Sequence, residues 1–169
     1  MTGLALPLDA TRLAGTLAFA AAALACLRVA MAGGRRATLW RALAAVHLVC
    51  LFEIVLGLRY DLHIAVNGVL QERGWYASRG RWQAPLLVGA LALMGTAAAW
   101  ACWRHRADPK AARALAGTAV ALSVFATETL SLHRIDAVLY APAGPLLVIG
   151  WLWLGAAALV IRATLGKPG

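Results

Sequence analysis

Two segments of the chain place acidic and basic side chains at the same spacing inside apolar sequence. Both read E-x5-R-x-D, and their members are Glu53, Arg59 and Asp61 in the first copy and Glu128, Arg134 and Asp136 in the second. A glutamate within a membrane span is costly and usually marks a functional site. Arginine binds carboxylates and anions through two parallel hydrogen bonds, and a carboxylate in a low-dielectric site can exchange protons. The repeat therefore predicts one pseudo-symmetric polar site to which both copies contribute.

Histidine, tyrosine and asparagine side chains accompany the two copies. If each helix continues through its copy, one face carries Glu53, Tyr60, His63 and Asn67, and another carries Thr129, His133, Asp136 and Tyr140. Both copies are followed by Tyr-Ala and then by Pro-Leu-Leu-Val. We expect the ligand-binding or metal-binding residues to be Glu53, Arg59, Asp61, His63, Glu128, His133, Arg134 and Asp136, with Tyr60, Asn67, Tyr76 and Tyr140 in secondary positions.

A divalent metal ion is the first ligand that these residue types could bind. His133 and Asp136 lie three residues apart on one helix face. The other ligands of a mixed histidine and carboxylate shell would be Glu53, Glu128 and His63. The sequence contains no zinc-type spacing and no H-E-x-x-H motif. A haem is not expected, because His47 has no second histidine at its depth in the membrane, and we expect it to be hydrogen-bonded within the bundle.

A small polar or anionic ligand is the second interpretation, with Arg59 and Arg134 as the groups that bind it. In a variant of this interpretation, the two membrane carboxylates relay protons in a small carrier. The third interpretation needs no ligand, because the arginines pair with the carboxylates and fix the helix register of a structural or assembly subunit. Interhelical polar contacts of this kind contribute roughly 0.6–2 kcal/mol in membranes. No G-x-S-x-G, Walker or G-x-G-x-x-G motif occurs, so the sequence names no reaction.

The composition requires a membrane as the solvent of the fold. Of 169 residues, 62% are apolar and only 14% are charged, and the mean hydropathy is +0.74. A soluble domain is nearer half apolar and a quarter charged. Five apolar segments are long enough to cross a bilayer as helices, at about 13–31, 39–58, 84–103, 111–132 and 145–161. The predicted fold class is an all-α membrane protein of one domain, 1–169, with these five transmembrane helices.

The basic residues predict the orientation of the chain in a bacterial-type inner membrane. With the N-terminus outside and the C-terminus in the cytoplasm, ten lysines and arginines face the cytoplasm and six face outward. The net charge of +9 then lies on the inner face, where it attracts anionic lipid. No nucleic-acid motif is present. The expected partners are the lipid bilayer and other membrane subunits or further copies of the chain.

The repeat also predicts how the helices are arranged. The second and third spans and the fourth and fifth spans form two hairpin repeats in parallel, which together make a four-helix bundle. The N-terminal helix is predicted to pack on the side of this bundle. Residues 62–74 lengthen the first copy. They either extend the second span or form an interfacial helix over the outer mouth, and the sequence favours the interfacial helix. The tryptophans, mostly near span ends, are expected to form an interfacial belt.

Overall fold

The structure is a computed structural model, and it describes residues 5–34, 36–78, 80–130 and 133–165. For residues 5–8 and for Tyr60, His63, His133 and Arg134 it describes the backbone only. The elements are α1 (Ala5–Met31), α2 (Ala37–Leu56), α3 (Leu58–Glu72), a 3-10 turn (Tyr76–Ser78), α4 (Gly80–Arg104), α5 (Pro109–Leu130), α6 (His133–Leu139), β1 (Pro142–Ala143), β2 (Leu146–Leu147) and α7 (Val148–Thr164). Apart from the two short antiparallel strands, the described part of the chain is all-α, as the composition predicts.

Three helices are long and apolar enough to cross a membrane. They are Asp9–Met31 within α1, the whole of α2 and the whole of α4. The α5 helix has 22 residues but contains Arg113 and Glu128, which lower its hydropathy. The α7 helix is apolar and has 17 residues, and it starts at Val148 because the preceding residues form the β1–β2 hairpin. Each of the five predicted segments therefore falls largely on a helix, and the five-span topology stays a prediction.

The α1 helix lies inside the bundle, so its predicted place on the side is wrong. It packs along both α2 and α7, and its residues Phe19, Ala22 and Cys26 are fully buried. The α5 helix packs along α7 so closely that a Cβ on Gly117 would lie 2.8 Å from the backbone oxygen of Ala156. Small residues permit such contacts, and the alanines of α1 do the same for its neighbours.

The α4 helix occupies the outer position instead. It packs against α5 and the 3-10 turn, and most of its surface is exposed. It does not pair with α2 as the predicted first hairpin requires. The predicted bundle of two hairpins is thus corrected to a bundle of α1, α2, α5 and α7, with α4 on the outside of α5.

A glycine separates α2 from α3. Gly57 has a φ of 68°, and its N–H donates to the backbone oxygen of Glu53, which ends α2. Glycine adopts this left-handed conformation without the steric penalty that a Cβ imposes. The helical face predicted for Glu53, Tyr60, His63 and Asn67 requires a continuous helix and is therefore wrong. The α3 helix begins four residues before the predicted interfacial helix, and most of its leucines and valines are exposed.

The conformation of Gly57 makes its replacement costly. We expect Gly57→Ala to destabilise the protein by about 1–2 kcal/mol, because alanine disfavours the left-handed region. Gly68→Ala is the matched control, since Gly68 is helical and has open space around its Cα position. Alanine should stabilise that site by about 0.5–1 kcal/mol. Unfolding by SDS in mixed micelles measures both changes, and equal responses of the two variants would contradict the assignment of the helix break.

Candidate functional site

Arg59, in the first turn of α3, brings the two glutamates of the repeat together. Its Nε lies 2.6 Å from Glu53 Oε1, and its Nη1 donates to Glu128 Oε2. The backbone N–H of Arg59 also donates to Glu53 Oε1 at 3.1 Å. The Nε contact is an ion pair only, because Nε has no hydrogen-bond partner among the described residues. The arginine of the first copy thus binds the glutamates of both copies.

The helix break at Gly57 is what allows Arg59 to reach Glu53. The two residues are six positions apart. On a continuous helix, six positions correspond to a rotation of about 240° and a rise of about 9 Å, which directs the side chains apart. The left-handed residue turns the chain so that the Arg59 amide and guanidinium both meet the Glu53 carboxylate.

Glu128 is the most deeply buried member of the cluster, with a side chain that is only 4% exposed. The Tyr140 hydroxyl donates to its Oε1 at 2.8 Å, so both carboxylate oxygens have partners. Tyr140 follows Glu128 by twelve positions, which is about 18 Å along a continuous helix. The chain must therefore turn back before Tyr140. The continuous face predicted for Thr129, His133, Asp136 and Tyr140 is wrong for this reason.

Aromatic side chains lie beneath the Arg59 guanidinium. Its Cζ is 4.5 Å from the centroid of the Phe125 ring, within the range of a cation–π contact. Phe125 lies three positions before Glu128, so α5 presents the ring and the carboxylate on one face. Phe125 stacks in turn on Trp153 of α7, with ring centroids 5.9 Å apart and an interplanar angle of 18°. The Arg59 guanidinium is therefore held by the Phe125 ring on one face and by the two carboxylates at its edges.

A cavity of about 640 Å³ opens beside this cluster. Small-molecule sites typically have volumes of about 300–1,000 Å³. The charged lining residues are Arg12, Glu53, Arg59, Asp61, Glu128 and Asp136, with Tyr140 beside them. The apolar part of the wall includes Ile54, Ile149 and Trp153. The lining comes from α1, α2, α3, α5, α6 and α7, so the whole end of the bundle shapes the cavity.

Three buried polar atoms of the lining residues make no hydrogen bond within the described part of the chain. They are Glu53 Oε2, Trp153 Nε1 and Arg59 Nε, of which the last lies in the ion pair with Glu53. A buried polar atom without a partner destabilises a protein by about 1–3 kcal/mol. These atoms have almost no exposed surface, so their missing hydrogen bonds are an energetic cost of burying the cluster.

Burial and the carboxylates of the cluster change the pKa of Arg59 and the pKa of Tyr140. Burial by itself lowers the pKa of Arg59, but the neighbouring Glu128 and Glu53 carboxylates outweigh it and raise the pKa above its ordinary value. Burial also raises the pKa of the Tyr140 phenol, and the Glu128 carboxylate raises it further. Both side chains therefore keep their protons at neutral pH, Arg59 as a cation and Tyr140 as a hydrogen-bond donor.

The structure gathers part of the predicted site around the cavity. Of the predicted residues, it places Glu53, Arg59, Asp61, Glu128, Asp136 and Tyr140 in the lining. The side chains of Tyr60, His63, His133 and Arg134 lie outside the described part of the structure. Asn67 lies on α3 and Tyr76 in the 3-10 turn, and neither belongs to the lining. Among the described residues, no group of three or more histidines, cysteines, aspartates or glutamates is placed to hold a metal ion.

Several residues of the site were not predicted. Thr11 and Arg12 come from α1, which enters the site only because it lies inside the bundle. The Thr11 hydroxyl accepts a hydrogen bond from the Leu147 amide at 2.9 Å and joins α1 to β2. Trp153 is 4% exposed, so its predicted place in the interfacial belt is wrong. The sequence offered one signal of the aromatic contacts at the site. Phe125 precedes Glu128 by three positions, so the two side chains lie on one helix face.

His47 lies deeper in the bundle than the cavity lining and behaves as predicted. It is fully buried, and its Nε2 lies 3.3 Å from the Thr118 hydroxyl of α5. Its ring stacks on Phe19 with centroids 5.7 Å apart. The histidine thus helps to join α1, α2 and α5 within the core.

Removal of Arg59 should destabilise the protein strongly. Arg59→Met leaves two buried carboxylates without a cation, and breaking a buried pair in this way costs about 3–5 kcal/mol. Arg36→Met is the matched control, because Arg36 pairs with Asp108 at 2.5 Å with both side chains about a third exposed. An exposed pair contributes about 0–1 kcal/mol. SDS unfolding at neutral pH measures both, and losses of similar size would contradict the role of Arg59.

Tyr140 should stabilise the fold only while it is protonated. A raised pKa in the folded state gives stability that is complete below the ordinary value of about 10 and is lost as the pH rises through the folded pKa. We expect a constant stability difference between wild type and Tyr140→Phe up to about pH 9, and a shrinking difference above about pH 10. Tyrosinate absorbance of the same two proteins identifies the late titration. A Tyr140 that ionises at the ordinary pH would contradict the contact with Glu128.

Comparison with known proteins gives no relative for this chain: no protein-family model, no curated protein and no solved structure matches it. The geometry of Arg59, the two glutamates and the cavity therefore carries the functional proposal.

Proposed function

We propose that the chain is a multi-pass membrane protein whose outer-end cavity binds a small polar ligand. The observation that carries this proposal is a cavity of about 640 Å³ that reaches Glu53, Arg59 and Glu128. Pockets of this size with a few convergent polar groups are the usual form of a ligand site. Neither a reaction nor a resident metal ion is part of the proposal.

The proposal includes the predicted topology of five spans in a bacterial-type inner membrane, with the N-terminus outside. Two observations support it. Arg36 and Asp108 form an ion pair, so the loop between α1 and α2 and the loop between α4 and α5 meet at one end of the bundle. The cavity lies at the other end, where Thr11, Glu53 and Ile149 meet from the start of α1, the end of α2 and the start of α7. The loop end is the more basic one, as expected for the cytoplasmic side.

A structural or assembly subunit is the second candidate. The double pairing of Arg59 favours it, because the ion pairs join α2, α3 and α5 without any ligand. Such pairs fix the register of helices in a membrane. The cavity favours binding instead, since a purely structural contact gains nothing from it. Arg59 then has the role of holding the cavity open in a defined shape.

Filling the cavity should abolish binding without disturbing Arg59. Leu56 lines the cavity and is 58% exposed, so Leu56→Trp should project an indole into the space while the ion pairs stay intact. The test is thermal unfolding of the purified protein with methylammonium, glycerol, acetate, phosphate and magnesium at millimolar concentrations. A ligand that binds only the folded state raises stability by about 2.7 kcal/mol at one hundred times its Kd.

At least one of these probes should raise the Tm of the wild type and leave that of Leu56→Trp unchanged. Leu93→Trp is the matched control, because Leu93 is 72% exposed on α4, away from the cavity. It should respond as the wild type does. Identical responses of wild type and Leu56→Trp to every probe would overturn the proposal.

A further inference from the structure

The loop end of the bundle, where the α1–α2 and α4–α5 loops meet, carries far more basic than acidic side chains. In the described part of the chain, Asp108 is the only acidic side chain at this end. Its Oδ2 accepts from Arg36 at 2.5 Å, and its Oδ1 accepts from the amides of Lys110 and Ala111 at 3.0 Å and 3.2 Å. The described basic side chains at this end are Arg28, Arg36, Arg41, Arg104, Arg106, Lys110, Arg113 and Arg162. Because Asp108 is already paired with one arginine, this end attracts further anions.

An apolar groove of about 430 Å³ lies between α4 and α5. Its wall comes mainly from α4 around Gly95 and from α5 between Ala116 and Thr127. This part of α5 extends about 16 Å along the helix axis, which is about half of the 30 Å hydrocarbon core of a bilayer. Part of the wall is accessible, since Gly95 and Val120 are exposed. The groove therefore offers the length and the apolar surface that one acyl chain of a lipid would cover.

Arg113 lies at the end of the groove that is nearest to the α4–α5 loop. It precedes the groove residues Ala116, Val120 and Ser123 by three, seven and ten positions, so all four residues lie on one face of α5. Its Cα is about 4.5 Å from that of Ala116 along the helix axis. The Arg113 side chain is exposed. A guanidinium is thus placed where the headgroup of a lipid in the groove would lie.

Two exposed tryptophans indicate that the adjacent end of α4 lies at the membrane surface. Trp100 and Trp103 are exposed by 63% and 60%, and tryptophan is enriched at the level of the lipid headgroups. The Cζ of Arg106, in the α4–α5 loop, lies 5.0 Å from the centroid of the Trp103 ring, within the range of a cation–π contact. Arg106 therefore adds a second guanidinium at headgroup depth.

We propose that the groove and the arginines at its end bind one anionic phospholipid. An acyl chain packs between α4 and α5, and the phosphate accepts hydrogen bonds from Arg113, with Arg106 close by. Arginine binds phosphate oxygens through two parallel hydrogen bonds. A zwitterionic lipid carries the same phosphate together with a cation that the arginines repel. The site is separate from the cavity beside Arg59, and it has a fixed position, unlike the general attraction of a basic surface for anionic lipid.

Native mass spectrometry of the full chain in neutral detergent tests this site, because it counts bound lipids and gives the Kd of each by titration. The probes are dioleoyl phosphatidylglycerol, dioleoyl phosphatidylcholine and glycerol 3-phosphate. We expect one phosphatidylglycerol to bind about tenfold more tightly than phosphatidylcholine, which has the same acyl chains and an added cation. Glycerol 3-phosphate lacks the acyl chains and should bind about a hundredfold more weakly than phosphatidylglycerol.

Arginine variants locate the headgroup. Arg113→Gln should weaken phosphatidylglycerol binding about fivefold, which is the effect of one basic residue near a lipid surface, and should change phosphatidylcholine binding by less than about twofold. Arg41→Gln is the matched control. Arg41 is an exposed arginine of the same end, but it lies on α2, which contributes no residue to the described wall of the groove. This variant should bind both lipids as the wild type does.

Glycine variants locate the acyl chain. Gly95→Leu should fill the groove and weaken the binding of both lipids about tenfold. Gly89→Leu is the matched control, because Gly89 also lies on α4 but does not line the groove. A Cβ at either position meets no described atom within 4 Å, so both variants should keep the fold. Gly89→Leu should bind lipid as the wild type does.

Three results would overturn the proposed lipid site. Equal affinities for phosphatidylglycerol and phosphatidylcholine would remove the assignment of the headgroup. Equal losses in Arg113→Gln and Arg41→Gln would leave only a general attraction between the basic end and anionic lipid. Unchanged lipid binding in Gly95→Leu would exclude the groove. None of these results decides whether the cavity beside Arg59 binds a ligand, since that test uses Leu56→Trp at the other end of the bundle.

Discussion

The Arg59 guanidinium, held between Glu53 and Glu128, sets the positions of three helices at one end of the bundle. Each of these charges is removed from most of its water, which is unfavourable unless the partners are close and correctly oriented. Arg59 meets this condition, because its guanidinium has one carboxylate at each of two edges and the Phe125 ring against one face. The ends of α2 and α5 therefore cannot separate without leaving a buried charge unpaired.

Two turns of the chain bring these side chains together, and they are as important for the cluster as its charges. Gly57 turns the chain so that Arg59 meets Glu53, six positions earlier. A second change of direction brings Tyr140 back to Glu128, twelve positions earlier. Continuous helices would have placed the same side chains at different depths and on different faces. The cavity forms between these turned segments and the inserted end of α1, so the same geometry that stabilises the cluster also leaves space beside it.

The sequence predicts the positions of the helices far better than it predicts which helices pack against each other. Apolar segments of spanning length must be helical in a membrane, and each of the five predicted segments falls largely on a helix. Glu53 and Glu128 lie on either side of Arg59, which agrees with the single site that the repeat predicts, because buried glutamates need a cation close by. The packing of α1 between α2 and α7 could not be predicted. Its apolar residues are spread around the whole helix, so no single face indicates which side contacts a neighbour. The pairing of one arginine with both glutamates depends on Gly57, and a lone glycine near a helix end does not reveal the direction of the turn that follows it.

A double-mutant cycle between Arg59 and Glu128 tests most directly whether one arginine serves both copies of the repeat. The free energy of unfolding is measured by SDS titration for the wild type, Arg59→Met, Glu128→Gln and the double variant. Coupled buried groups show interaction energies of about 0.5–3 kcal/mol, and we expect a value near the upper end for this pair. An interaction energy below about 0.5 kcal/mol, the lower limit for residues in contact, would show that Glu128 is neutralised by another group and would contradict the account.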